Sequence, residues 1–239
     1  LHELRLPPAN PRGKPDPAIL EFSNVPRRGW IKTANIELTF YDIAGEVFAN
    51  DEMAKQYAPF LADADDIIFL FDPTESNFSA LRAARLIDLV SRVALKNKRK
   101  NIIVTLSKMD ELRTQDGWAD IIGNLWPDVP PATVDLPIYF QQMEHLSEML
   151  RLWWSDPVRE AQNLMNSLGE NVRFAAVSSI GHQPLWDCGN CAAENIAAHS
   201  RCISCQTGRT NARLRLAKRP EPFRVRDPLF WIFKDAGVM

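Results

Sequence analysis

The sequence predicts an α/β fold, a mostly parallel sheet flanked by helices, with a small four-cysteine zinc finger inserted near its end. Three observations carry this. Asp66–Phe71, Asn101–Leu106 and residues 172–177 are short continuous apolar runs, the pattern of strands covered on both faces. The stretches between them place apolar residues at helical spacing. All four cysteines fall between 188 and 205, as two C-x-x-C pairs. Strands separated by helices imply a parallel sheet, whose ligands sit beyond the carboxyl ends of the strands.

Taken in order, residues 18–22 (Ala-Ile-Leu-Glu-Phe) and 36–42 (Ile-Glu-Leu-Thr-Phe-Tyr-Asp) are β-rich, and the second alternates. Arg27-Arg-Gly29 offers a turn between them, so the pair reads as a hairpin. Residues 53–61 form a short helix. Asp66–Phe71 follows as a strand, then a helix over 75–96 with Phe78, Leu81, Leu86, Leu89, Val90 and Val93 on its apolar side and no Gly or Pro inside. Asn101–Leu106 is the next strand. A proline-rich loop spans 127–137 and two helices follow. Asp156-Pro157 opens the second of these as N-cap and first helical residue, and Gly169 stops it. Residues 172–177 make the third buried strand. Asp227-Pro228 caps a final helix bearing Leu229, Phe230, Ile232 and Phe233.

The 239 residues fit one large domain or a domain plus an insert. An apolar content of 46% can fill a sizeable core. The net charge of −2 gives no global argument for nucleic acid or anionic membrane. No apolar run is long enough to span a bilayer, and neither a signal peptide nor an Arg-rich amphipathic leader is visible, so the expected compartment is the cytoplasm. No internal repeat stands out.

Cys188-x-x-Cys191 and Cys202-x-x-Cys205 have the spacing of two knuckles closing on one tetrahedral zinc ion, with the cysteines bound as thiolates. The alternative is two disulfides, which the context of an otherwise cysteine-free chain without a signal peptide disfavours. Trp186, Cys188, Cys191, Asn195, Cys202 and Cys205 together resemble the zinc finger of Ran-binding nucleoporins. Such fingers bind single-stranded RNA, ubiquitin or small GTPases. The RNA-binding members carry an aromatic and two arginines after the Asn, where this chain has Ala197, His199 and Ser200. The ubiquitin-binding members carry Thr-Phe where this chain has Ala192-Ala193. The resemblance implies zinc and supports neither known ligand; because the missing aromatic weakens stacking, a protein contact is expected ahead of sequence-specific RNA binding.

Three strand ends carry polar chemistry. After the second hairpin strand comes Tyr41-Asp42-Ile-Ala-Gly45-Glu46, where an acid can hold Mg²⁺ through water and a glycine can bring its N–H to a terminal phosphate. After Asn101–Leu106 comes Ser107-Lys108-Met109-Asp110, where a carboxylate can accept two hydrogen bonds from guanine and the Lys stem can cover the ring. After 172–177 comes Ser178-Ser179-Ile-Gly181, a polar turn whose amides can meet the base carbonyl. In this order the three resemble the third, fourth and fifth motifs of Ras-like P-loop GTPases. With Leu6-Pro-Pro-Ala and the closing Asp-Pro-Leu-x-Trp helix, the chain is similar to the bacterial double-GTPase domain family. That resemblance implies a Ras-like GTPase fold binding GTP with Mg²⁺. Asp42 would be the Mg²⁺-side acid, Gly45 the γ-phosphate contact and Glu46 the catalytic, water-positioning residue. Ser107, Lys108, Asp110, Ser178 and Ser179 would line the guanine site.

No G-x-x-x-x-G-K-[ST] loop occurs; Gly29-Trp-Ile-Lys32-Thr33 lacks the glycine before Lys and sits in a hairpin turn. The expectation is that the first strand and phosphate loop lie upstream of Leu1, with Asn10 near the place of the usual Mg²⁺-binding Thr. The expected organisation is a GTPase-like domain over 1–182, a finger over 183–210, a basic linker over 211–225 and a final helix over 226–239. The expected function is a slow GTPase switch with a finger as docking arm. The alternatives are a finger adaptor for protein or RNA, and a nucleotide-free scaffold. His145 and His182 have no partner motif, and His199 is superfluous beside four cysteines. Trp153-Trp154 reads as core. Arg209, Arg213, Arg215, Lys218, Arg219, Arg224 and Arg226, opposed only by Glu221, form a basic strip that reads as a solvated loop or a grip on phosphates.

Overall fold

The structure is a computed structural model and describes residues 18–26, 33–40, 64–74, 83–88, 101–112, 135–155, 172–196, 199–210, 214–216 and 219–237. Its elements are β1 (Ala18–Pro26), β2 (Thr33–Phe40), β3 (Asp66–Phe71), β4 (Asn101–Leu106), the single turn α1 (Met109–Leu112), α2 (Leu136–Ser155), β5 (Val172–Ala176), β6 (Leu185–Asp187), β7 (Glu194–Ile196) and α3 (Asp227–Asp235). Residues 83–88 are also helical.

β1 and β2 pair as an antiparallel hairpin, with Ala18 opposite Phe40 and a register shift between Phe22 and Val25. The bulge lets β1 run on to Pro26, past the β-rich stretch that ends at Phe22. The centre of the chain is a parallel sheet in the order β3-β4-β5. Phe71 aligns with Leu106 and Leu106 with Ala176, so the carboxyl ends of all three strands stop in one row. That common row decides where the chemistry gathers.

The strands are buried on faces that alternate with sequence, as a pleated backbone requires. Ile102, Val104 and Leu106 point to one side, where Ala83, Ala84 and Ile87 of the helical run and Leu146, Leu150 and Trp154 of α2 cover them. Ile103 points to the other, against Trp231 and Ile232 of α3 and Met143 of α2. Trp154 is completely buried and Trp153 only partly, so the pair is core. Burying one such large apolar side chain contributes about 1.5–3 kcal/mol, and the inner sheet buries many of them.

Three expectations change. β3 is covered on one face only: Ile67 and Phe69 are buried, whereas Ile68 is 36% and Leu70 66% exposed. Among the described residues β3 ends the row of three strands, and α3 packs mainly on β4 and β5. Leu136 and Pro137, placed in the proline-rich loop by sequence, open α2 instead; proline fits a first helical turn because the N–H it lacks has no helical partner there. Asp227 does not cap α3. It is the first helical residue, Arg226 holds the N-cap position without a side-chain bond, and the Asp227 carboxylate serves Tyr139 and Arg224. The helix expected over 53–61, the loop over 127–134 and the helix opened by Asp156 lie outside the described residues. No helix among the described residues is long and apolar enough to cross a membrane.

Candidate functional site

The row of strand ends brings three polar turns together. Beyond β4, Ser107 bonds back to β3: its N–H and its hydroxyl both donate to the Phe71 carbonyl, at 2.8 and 3.0 Å. Lys108 then takes φ +54°, a left-handed conformation costly for a residue with a Cβ, and this turns the chain into α1. Met109 N–H donates to Val177 O at 3.2 Å and Val177 N–H to Leu106 O at 2.8 Å, tying the ends of β4 and β5.

Ser178 is 1% exposed and its hydroxyl donates to the Asp110 carboxylate. The same hydroxyl accepts from Gly181 N–H at 2.8 Å. So Ser178 closes its own turn and fixes one carboxylate oxygen of Asp110 across the gap between β4 and β5. Ser179 follows at the exposed outer side of the turn. The ammonium of Lys108 forms an ion pair with Asp72, the residue after β3. Asp72 also accepts from Thr74 N–H at 2.9 Å and Thr74 Oγ1 at 2.6 Å. Burial pushes the Asp72 carboxyl up, but the bonds from Lys108 and Thr74 outweigh it and hold the group below the usual carboxylate range.

The structure thus brings together Ser107, Lys108, Asp110 and Ser178, with Ser179 at the margin. Asp42, Gly45 and Glu46 lie outside the described residues. Asp72 was missed by sequence reading. Its signal was an acid immediately after a buried strand, followed by Pro-Thr, a turn that an Asp side chain closes on itself.

The second cluster is the cysteine module. Cys188, Cys191, Cys202 and Cys205 present sulfurs all within 4.8 Å of one another. Cys188 and Cys205 sulfurs are 3.5 Å apart, as are those of Cys191 and Cys202, and all four cysteines are free thiols, so neither pair is a disulfide. Zinc–sulfur bonds of ~2.3 Å in a tetrahedron give sulfur–sulfur edges of about 3.8 Å. The four cysteines are positioned to hold a metal ion, and donor type and spacing are compatible with zinc.

The two knuckles repeat each other. Cys188 N–H donates to Ala193 O and Ala192 N–H to Cys188 O, at 2.9 and 2.8 Å. Cys202 N–H donates to Thr207 O and Gln206 N–H to Cys202 O, at 2.8 and 3.0 Å. Ala192 and Gln206, each following the second cysteine of its pair, both take positive φ, +57° and +60°. No repeat was visible in the sequence because only the cysteines are shared.

Asn195, 2% exposed, links the knuckles. Its amide nitrogen donates to Ala193 O at 2.7 Å and faces Cys202 Sγ at 3.8 Å, while its oxygen accepts from Ile203 N–H at 2.8 Å. Trp186 packs beneath Cys188 and Cys202 and donates its indole N–H to Ile196 O at 3.0 Å. Thr207 lowers the Cys205 thiol to about 5. Cys191 is pulled down by Ala193 N–H but pushed up to about 12 by the surrounding thiols, Cys205 first.

The basic strip is partly spent inside the protein. Arg215 pairs with Leu185 through the backbone and with Asp187 and Glu194 through its guanidinium, at 3.1 and 2.6 Å. Arg224 is buried, bonded to Asp227 at 2.8 Å and stacked 4.7 Å from the Tyr139 ring centroid. Arg226 lies over Phe230.

No family model matches this chain, and no curated protein or solved structure matches it either.

Proposed function

We propose that this chain supplies the base-recognition side of a Ras-like, guanine-nucleotide-binding α/β domain, with a zinc-stapled module as its docking arm. The observation that carries this reading is the bond from Ser178 to Asp110, which joins two turns singled out separately in the sequence. Asp110 accepts from the two N–H groups on the edge of guanine, and the Lys108 stem lies along the ring. Asp42, Gly45 and Glu46 are assigned to Mg²⁺, the γ-phosphate and the attacking water. Hydrolysis would be slow and would release the loop after Asp42.

Zinc is the ion assigned to Cys188, Cys191, Cys202 and Cys205. It supplies a structural cross-link with no redox chemistry of its own. A protein partner is favoured over RNA for the module, because Arg215 and Arg224 are neutralised within the fold while Ile203, Leu214 and Leu216 are exposed, at 59%, 52% and 45%. The test is a titration of the intact protein with GTP, ATP and xanthosine triphosphate in Mg²⁺; the 239 residues alone should bind each of them weakly or not at all. GTP should be preferred over ATP, and Asp110→Asn should move the preference to the xanthine nucleotide, whose extra carbonyl an amide can meet. Equal affinities for GTP and ATP, unmoved by the substitution, would refute the reading.

A further inference from the structure

The module is inserted directly after the Ser178–Gly181 turn, and its outgoing chain returns to that turn. Ser178 N–H donates to Phe223 O at 3.0 Å and Phe223 N–H to Ser178 O at 2.8 Å, a two-way antiparallel bridge. Glu221 N–H donates to Ile180 O at 2.7 Å. Gly181 takes φ +79°, and a Cβ built there would stand 1.8 Å from the Glu221 carbonyl oxygen. Only a glycine lets the outgoing strand lie this close. Phe223 is 2% exposed and belongs to the same core cluster as Leu106 and Phe174.

We propose that residues 221–223 are the positioning element of the Ser178–Asp110 corner, and that metal held by the four cysteines keeps this element in place. The physical reason is loop closure. With the metal bound, the module is one rigid body whose incoming and outgoing chains are already together, since Leu185 and Arg215 exchange both backbone bonds, at 2.8 and 2.9 Å. The bridge from Ser178 to Phe223 then closes only the short segments on either side. Without metal, the chain from 182 to 222 closes as one long loop, and the Ser178–Phe223 bridge must bear the added closure entropy with only the Glu221–Ile180 bond and the buried Phe223 ring beside it. Ser178 spends its backbone on Phe223 and its hydroxyl on Asp110, so loss of the first frees the second. Glu221 and Phe223 act through Ser178 and are positioning residues. The inference concerns how the corner is assembled and does not depend on what the corner binds.

Hydrogen–deuterium exchange on the full chain tests it without any nucleotide. Removing metal with a chelator should speed exchange at 178–181 and 221–223 by about tenfold, alongside the module itself, while the amides of α2 stay protected. Exchange that rises within 185–210 and stops there, leaving 178–181 unchanged, overturns the proposal. Should the chelated protein lose protection throughout α2 as well, Gly181→Ala decides. That variant should keep its zinc content and still exchange faster at Ser178 and Phe223. Unchanged exchange in it overturns the proposal equally.

Discussion

Ser178 donates its hydroxyl to Asp110 across 68 residues of sequence, and nothing local to either turn requires them to meet. They meet because β4 and β5 are parallel neighbours ending in the same row. The first prediction follows from this contact. Ser178→Ala strips Asp110 of a donor and Gly181 of its acceptor in a site 1% exposed. It should cost about 1–3 kcal/mol in a urea titration and, on the proposed function, weaken guanine-nucleotide binding together with stability.

Purified without chelator, the protein should carry one zinc per chain by elemental analysis. Cys202→Ser should lose it and unfold the module, because a four-thiolate site contributes on the order of 10 kcal/mol of folding free energy. The inner sheet, which has its own core, should keep a cooperative thermal transition.

Ala192 and Gln206 each carry a Cβ through a left-handed turn. Ala192→Gly and Gln206→Gly should therefore stabilise the module by up to about 1 kcal/mol each, read as slower zinc release to a competing chelator. Faster release in both would show that the turns are held by something other than this backbone strain.

Tyr139 donates to Asp227 at 2.5 Å. Burial, with the Asp227 charge adding to it, pushes the phenol well above its usual value of about 10. The folded state thus keeps a proton that the unfolded state gives up. The contribution to stability is full below about pH 10 and is lost as pH rises beyond it. Tyrosinate absorbance at 295 nm should show a late step that coincides with alkaline unfolding and is absent in Tyr139→Phe. That variant should cost about 1–2 kcal/mol at neutral pH, because Asp227 loses a buried donor.

Much of the inner sheet was legible in sequence. The runs Asp66–Phe71 and Asn101–Leu106 match β3 and β4 end to end, because uninterrupted apolar residues of strand length leave few alternatives. The cysteine cluster was legible for the same kind of reason: ligand spacing is a local geometric requirement. What escaped was non-local. Asp72 matters through Lys108, 36 positions away, and Arg224 turns inward to Tyr139 and Asp227 although its neighbours made it look like part of a solvated strip. Asp227 looked like a cap because Asp-Pro opens helices; the demand from Tyr139 and Arg224 outweighed the local preference. The one-sided burial of β3 was equally hidden, since a run of apolar residues records how much surface could be covered and not what arrives to cover it.

That uncovered side of β3 sets the handling properties of the chain. Ile68 and Leu70 project from the face of β3 opposite the core, an apolar patch on which a second copy of the chain can settle. The net charge of −2 offers little electrostatic repulsion to keep copies apart. Concentrated solutions should drift toward larger scattering species as they stand, and a lysine in place of Leu70 should hold them clear without disturbing the core on the opposite face.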